Sequence, residues 1–483
     1  MTENKLILSK YDLAFIGVLA FAVAIRLYFF YITQDQALWW DGAEYMNMAK
    51  DFAGTYSAEW WPGRPILLPL IWAGMLKLGL GELSLKFIVT LFSIAGIFFT
   101  YLIIKDMYDK KTAIITTLLL SAFWMHLFYS ARILVDVPSL TMWTVILYFF
   151  WKAVNTHQSK YYALTGILIA LGTLLRFPTL IIGAVILIYL LATERHKFLL
   201  DKNFWIMGAG SIAIIIPYFI WATLKFGNPI YQFVYGGGAA GQAIGLPSIL
   251  TYLNLFPFYF QIPGIIIFVI GLYMFSDVIM SIDLLNKETG AKIRANFLIL
   301  LWLLIPLFYF ATQTRAEERY IMFIFPAAFL IITRGLFYIE NFVKKLNLNL
   351  AKIITIVLIV IMVLMQINFA NTSIVKSSTS YMPVKDAGIW IKENSPENLI
   401  VYTMSVPQIQ YYAERTTLSY GGGSEAFDKI IADGKPAYFV LSVFEGHPDW
   451  VGNYLATNPA LETVRVYNDQ NSSPVLIIFG LKN

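Results

Sequence analysis

The chain has 483 residues, of which 58% are hydrophobic and only 13% are charged, and its mean hydropathy is +0.65. A soluble domain carries about 25% charged residues, so this composition predicts a polytopic membrane protein. The lack of cysteine in the sequence excludes disulfides and thiolate chemistry, and a net charge of +5 gives no case for nucleic acid as a partner.

Apolar segments recur along the chain and predict a polytopic α-helical membrane protein with about eleven transmembrane helices. The first covers residues 12–32, and the others centre on residues 86–105, 113–130, 137–154, 161–175, 178–193, 204–224, 258–280, 297–313, 320–338 and 352–370. Residues 64–80 are apolar but short and rich in Pro and Gly, which favours a partly embedded helix.

The distribution of lysine and arginine predicts the orientation, because cytoplasmic loops collect these residues. If the N-terminus is cytoplasmic, the inside loops are all basic: residues 105–111, 152–160, 195–202, 287–294 and 344–352. The sequence therefore predicts a multi-pass protein of the cell membrane. Its first loop, residues 33–85, and its C-terminal residues would both be extracytoplasmic.

Beyond residue 370 the sequence becomes mixed in polarity and contains no spanning segment. Helices are predicted at residues 383–394 and 424–432, the second one capped, and strands at residues 399–403, 438–443 and 475–479. We therefore expect a membrane domain over residues 1–370 and a small extracytoplasmic α/β domain over residues 371–483.

The first outer loop contains the strongest candidates for chemistry, Asp41 and Glu44. Three residues apart, they share a face if this segment is helical. A carboxylate at the outer membrane boundary can accept a proton from an acceptor hydroxyl. The alternative is that Asp41 caps the helix that follows it.

A second outer pair, Arg132 and Asp136, lies in the short connector SARILVDVPSL. In the functional interpretation, Asp136 supports the site and Arg132 faces a phosphate. The alternative is a salt bridge or a helix start at the membrane interface.

A third cluster, Arg315 to Arg319, precedes a late apolar segment. Charges at such a depth usually mark a ligand path, although arginines that extend to the interface are the alternative. The planar guanidinium of Arg319 suits phosphate oxygens. Neither Glu317 nor Glu318 has the helical spacing that would make it a natural partner of Arg319.

Two further arginines lie inside apolar sequence. Arg176, followed by the helix breaker Pro178, needs a partner such as a lipid phosphate or a carboxylate. Arg26 lies in the outer half of the first span, where extension of its side chain to the interface is the simpler explanation.

Taken together and in order, these positions resemble the GT-C glycosyltransferases of the dolichyl-phosphate-mannose–protein mannosyltransferase and aminoarabinose lipid A transferase type. The resemblance covers most of residues 12–370. It rests on an arginine late in the first span, an acidic first loop with a following tyrosine, the segment RPILLPL, an aspartate before an apolar span, and an Arg-Tyr…Pro motif: Arg26, Asp41, Glu44, Tyr45, Asp136, Arg319, Tyr320 and Pro326.

The resemblance implies a specific activity. Such enzymes take a sugar from a polyprenyl-phosphate donor at the outer leaflet and pass it, with inversion, to a lipid, glycan or protein acceptor. It implies Asp41 as the general base, with Glu44 and Asp136 as further catalytic candidates. The donor phosphate would be held by Arg64, Arg132, Arg176, Arg319 and Tyr320. The resemblance implies no certain cofactor, and a divalent metal remains compatible with the outer carboxylates.

Two other functions are compatible with a polytopic chain. A transporter or lipid flippase should contain paired repeats with broken helices and a site at the membrane midplane, whereas the polar residues here cluster on one side. A non-catalytic assembly protein that binds through the C-terminal domain would not need charges on short loops at the membrane boundary.

Overall fold

The computed structural model describes residues 9–239, 246–280, 290–313, 315–469 and 471–482. The membrane part is helical: α1 (Lys10–Thr33), α2 (Trp40–Ala53), α3 (Leu67–Lys77), α4 (Glu82–Met107), α5 (Lys110–Ala122), α6 (Trp124–Tyr129), α7 (Asp136–Thr156), α8 (Ser159–Leu175), α9 (Ile182–Glu194), α10 (Lys202–Phe226), α11 (Tyr231–Ala239), α12 (Leu246–Tyr273), α13 (Ser276–Met280), α14 (Ala291–Ala311), α15 (Phe325–Lys344) and α16 (Leu348–Ser377). Short 3-10 turns at Phe177–Ile181, Arg195–Leu200 and Met322–Ile324 extend α9 and α15.

Within the described ranges, nine helices are long and apolar enough to cross a membrane. They confirm the predicted class, a polytopic helical membrane protein, at the level of the fold. Two of the predicted segments differ from a simple span. Residues 161–175 form the shorter apolar helix α8, and residues 113–130 are divided into α5 and α6 at Phe123.

The break between α5 and α6 is held together by Arg26, which is fully buried. Its guanidinium donates to the Ser121 carbonyl at the end of α5 (3.3 Å) and to Ser93 Oγ (2.7 Å), and it lies 3.1 Å from His126 Nδ1 in α6. The expectation that Arg26 extends to the interface is therefore wrong. A helix end inside the bundle leaves carbonyls without partners, and Arg26 supplies donors for them.

Replacing this arginine should destabilise the bundle. Arg26→Met removes the donor to Ser121 and Ser93, and each lost bond to a charged group costs about 1.5–3 kcal/mol. We expect a lower free energy of unfolding in detergent, with the cavity described below unchanged, because the side chain does not line that cavity. Unchanged thermal stability would contradict this structural role.

The segment between α1 and α4 is itself largely helical, because it contains α2 and α3. α2 ends at Gly54, whose φ of +70° is left-handed and favours glycine. α3 covers most of residues 64–80, where a short embedded helix was predicted. This segment therefore presents its charged side chains from rigid helix ends rather than from free chain.

The C-terminal part forms a five-stranded sheet with helices on both faces. Its elements are α17 (Met382–Asn394), β1 (Ile400–Thr403), α18 (Val406–Ala413), β2 (Thr416–Leu418), α19 (Ser424–Ala432), β3 (Ala437–Ser442), α20 (Asp449–Thr457), β4 (Leu461–Asn468) and β5 (Pro474–Leu481). The strand order is β2-β1-β3-β5-β4, with β2, β1 and β3 parallel and β5 antiparallel to both of its neighbours. All five predicted elements are present, but α19 begins after Gly423 without the expected side-chain cap.

This sheet unit contacts the membrane part through α18, which packs on α2. Asn47 of α2 donates to the Pro407 carbonyl (2.9 Å), and Lys50 pairs with Glu414 (2.7 Å) at the far end of α18. The Tyr412 hydroxyl of α18 accepts a hydrogen bond from the Leu38 backbone N–H, just before α2 (2.9 Å). The sheet unit therefore supports the helix that carries Asp41.

Candidate active site

Asp41 lies in the first turn of α2, where two arginines from distant parts of the chain meet it. Its Oδ1 accepts from Arg64 Nη2 (2.5 Å) and its Oδ2 from Arg319 Nη2 (2.7 Å). The alternative that Asp41 caps the helix is wrong, because Trp39 occupies the cap position. Both carboxylate oxygens therefore face cations rather than backbone N–H groups.

Asp136 and Arg176 complete the arrangement from two further helices. Asp136 is the first residue of α7, and its Oδ1 lies 3.0 Å from Arg176 Nη1, just after α8. Its Oδ2 lies 3.6 Å from Arg319 Nη1. Arg319 thus stands between the two aspartates, and Asp136 pairs with these arginines rather than with Arg132.

Arg319 has a third acidic neighbour, Glu317. Its Nε donates to Glu317 Oε2 (2.9 Å), and Tyr320 donates its hydroxyl to Glu317 Oε1 (3.0 Å). The expectation that Glu317 is no partner of Arg319 is wrong, because helical geometry begins only at Met322 and the preceding chain is a turn. Glu318 bonds instead to Tyr129 (2.8 Å).

The charges form one connected network, in which burial and ion pairing act against each other. Burial opposes the charged form of Asp41, but the positive charges of Arg64 and Arg319 outweigh it and lower the pKa of Asp41 to about 2. This carboxyl group is therefore ionised at neutral pH. Its charge is balanced by these two arginines.

The network lines a cavity of about 530 Å³. Apolar side chains also line it, among them Phe177, Leu180, Ile181 and Phe233. Leu180 is 58% exposed on the surface of the bundle, so the cavity reaches the region where lipid would lie. A ligand with a charged head and an apolar tail matches this lining.

Glu44 does not line this cavity, but it forms a hydrogen bond to the segment Trp61–Arg64, which does. Its Oε2 accepts from the Trp61 backbone N–H (3.1 Å), and burial raises its pKa against the opposing effects of that bond and of Arg64. The Trp61 ring lies against Gly63, where a Cβ would come within 2.6 Å of three ring atoms. This compact turn brings Trp61 and Arg64 to the cavity wall.

We therefore predict that Glu44 acts by positioning. Glu44→Gln keeps an oxygen that can accept from Trp61 and should retain most activity. Glu44→Ala leaves that N–H unpaired, at a cost of about 1–3 kcal/mol, and should weaken affinity for an anion in the cavity through displacement of Arg64. Equal losses of activity in the two variants, with unchanged affinity, would instead indicate an acid–base role.

Arg132 lies apart from the other predicted arginines. Its guanidinium packs over the rings of Phe128 (3.6 Å) and Trp39 (4.5 Å), and its Nη2 donates to Ser377 Oγ (2.9 Å). It does not line the large cavity. Its contacts link the second outer connector to the end of α16.

Of the predicted site residues, the structure brings most to one cavity and leaves two outside. Those at the cavity are Asp41, Arg64, Asp136, Arg176, Arg319 and Tyr320, and those outside are Glu44 and Arg132. The sequence reasoning missed Trp61, although the segment EWWPGR placed aromatic rings beside a glycine and an arginine. In the described part of the chain, no group of three or more His, Asp or Glu has the arrangement of a metal site.

Comparisons with known proteins agree with this fold. Residues 63–221 match the model of the dolichyl-phosphate-mannose-protein mannosyltransferase family. The structure of ArnT from Cupriavidus metallidurans bound to undecaprenyl phosphate is similar with a TM-score of 0.70 and 14% identity, covering 96% of this chain and 97% of that one. Its apo structure is similar to the same degree, covering 96% and 98%.

A second type of enzyme shares the architecture. The oligosaccharyltransferase of Archaeoglobus fulgidus, in complex with Zn and sulfate, is similar with a TM-score of 0.63 and 14% identity, covering 89% of this chain and 68% of that one. A comparison with curated protein sequences finds no match. The resemblance predicted from the sequence is confirmed: the chain has the fold of the GT-C superfamily of membrane glycosyltransferases.

Proposed function

We propose that this protein is a membrane glycosyltransferase that moves a sugar from a polyprenyl-phosphate donor to an acceptor at the outer face of the membrane. One observation carries the proposal: three arginines and two aspartates converge at a cavity that apolar side chains also line. A polyprenyl-phosphate sugar has the same three parts, namely a polar sugar, a charged phosphate and an apolar chain.

The arginines suit the donor phosphate. Arg64, Arg176 and Arg319 present planar guanidinium groups that can bind phosphate oxygens in pairs. When the sugar–oxygen bond breaks, negative charge grows on the departing phosphate, and preorganised cations stabilise it. The ArnT structure with undecaprenyl phosphate supports a carrier of this class.

Asp41 is the proposed general base. It would accept the proton of the acceptor hydroxyl while the acceptor oxygen attacks the anomeric carbon and the bond from that carbon to the phosphate oxygen breaks. One such displacement inverts the anomeric configuration. Asp136, held by Arg176 and Arg319, would keep those arginines in place. The acceptor belongs to one of three classes: lipid, glycan or protein.

The proposal assigns residues 1–370 to the transferase domain, with residues 33–85 as its catalytic loop, and residues 371–483 to an extracytoplasmic domain. Membranes from cells that express the protein should transfer radiolabelled sugar from polyprenyl-phosphate donors to extractable lipid, glycan or protein. Membranes with Asp433→Asn, an exposed carboxylate of the outer unit, should behave like the wild type. No transfer from any such donor above the level of membranes without the protein would contradict the function.

The orientation makes a separate prediction. Because the basic loops place the N-terminus in the cytoplasm, protease added to intact cells should remove the C-terminal domain. The loop at residues 195–202 should stay uncut until the membrane is permeabilised. The reverse pattern would place the proposed site on the wrong side for a donor in the outer leaflet.

A further inference from the structure

Both oxygens of the proposed base are paired with arginines. Asp41 Oδ1 is taken by Arg64 at 2.5 Å and Oδ2 by Arg319 at 2.7 Å. An acceptor hydroxyl must hydrogen-bond to the base before it can transfer a proton. Each carboxylate oxygen keeps a second lone pair, but with both oxygens paired to cations this carboxylate is a weak base until at least one arginine moves.

Arg64 and Arg319 differ in the number of N–H donors that remain available for a second anion. Arg64 uses Nη2 for Asp41, while its Nε is buried and has no hydrogen-bond acceptor among the described residues. Arg319 uses Nε and Nη2 for Glu317 and Asp41, and its Nη1 faces Asp136. Arg319 is therefore saturated with carboxylates, whereas Arg64 has a donor to spare.

Arg176 also has an unsatisfied donor. Its Nη1 lies 3.0 Å from Asp136 Oδ1, but it is not aligned as a hydrogen bond, and it is buried. Unpaired buried N–H groups are costly, and an anion in the cavity would relieve that cost. A phosphate that reaches Arg64 and Arg176 therefore enters beside Asp41 and competes with it for the Arg64 guanidinium group.

We propose that the donor phosphate and Asp41 compete for Arg64 and Arg319, so that donor binding itself releases the base. The inference rests on the proposed function and deepens it. Pairing with the arginines weakens Asp41 as a base; when the phosphate takes over their N–H donors, Asp41 becomes a stronger base for the acceptor hydroxyl. The two substrates then bind in a fixed order, with the donor first.

The two possible roles of Asp41 predict opposite changes in phosphate affinity when its charge is removed. If the arginines must leave Asp41 to bind phosphate, a variant without the competing carboxylate should bind phosphate more tightly. If Asp41 only holds the arginines in place for phosphate, the same variant should bind it more weakly. Asp41→Asn distinguishes the two, because the amide keeps the size of the side chain and loses the charge.

The experiment measures the affinity of the purified full-length protein for undecaprenyl phosphate. We expect Asp41→Asn to bind it at least about tenfold more tightly than the wild type, since it removes two charge-assisted bonds that the phosphate must otherwise break. Glu318→Gln is the matched control: it removes a negative charge next to Arg319, but that carboxylate bonds to Tyr129. It should change the affinity by less than about threefold, the range of a partly screened charge.

The outcomes separate this inference from the proposed function. Undecaprenyl phosphate that binds to the wild type, but equally or more weakly to Asp41→Asn, would overturn the competition and leave the function standing. Equal tightening in Asp41→Asn and Glu318→Gln would also overturn it, because charge alone would then explain both. A wild type that does not bind undecaprenyl phosphate would count against the proposed donor. If Asp41→Asn folds poorly, Asp41→Ala has the same expected sign.

Discussion

Asp41→Asn should reduce sugar transfer by about 10²–10⁴-fold, the usual contribution of a general base. The amide occupies the same space beside Arg64 and Arg319, but it cannot take a proton from the acceptor. Donor affinity should not fall and, if the competition for the arginines holds, should rise, so the loss should appear in turnover rather than in binding. The measurement is the transfer rate at saturating donor, with Asp433→Asn as the control for loss of an unrelated carboxylate.

Near-normal turnover of Asp41→Asn would refute the assignment of the base. Asp136 would then be the next candidate, because it also lines the cavity. Glu44 would follow, although it contacts the Trp61 backbone and not the cavity. Stability must be measured in parallel, because the substitution also frees two arginines from a partly buried carboxylate.

Arg319→Ala should weaken undecaprenyl phosphate binding by a factor of about 30 or more, since a lost bond to a charged group in a desolvated site costs at least about 2 kcal/mol. It should also lower thermal stability, because Asp41, Asp136 and Glu317 would then lie close together without the cation between them. Arg319→Lys restores the charge but not the planar fork, so it should recover most of the stability and only part of the affinity.

The control is Arg465→Ala, an exposed arginine of the outer sheet, which should leave both quantities unchanged. Donor affinity that stays intact in Arg319→Ala while stability falls would make this residue structural. The phosphate site would then depend on Arg64 and Arg176, the two arginines with unsatisfied buried donors.

The membrane architecture could be predicted from the sequence because a spanning helix is a local property. An apolar run of sufficient length forms a helix wherever it lies, since its backbone must be satisfied within the segment. The division of residues 113–130 could not be predicted in this way. The break at Phe123 has no Pro or Gly to mark it, and it is stabilised by Arg26 from another helix.

The C-terminal sheet unit also contains some elements that the sequence predicts and others that it does not. Its apolar central strands, β1, β3 and β5, were predicted, whereas the edge strand β4 and the helix α18 were not. β4 alternates charged and apolar residues with most of them exposed, so it has no buried run. α18 is buried along nearly its whole length between the sheet and α2, and it therefore lacks the one-sided pattern that identifies a surface helix.

For the candidate site, the residue pattern predicts which charged residues lie at the ends of apolar segments, and these include most of the charged residues of the cavity. Which of these charges meet depends on the packing of the helices. Asp41 and Arg319 are 278 positions apart, and Arg132, which the sequence ranked with the other arginines, packs on aromatic rings instead. Ion pairing falls steeply with distance, and distances between helices are set by how the bundle packs, which no local pattern of residues records.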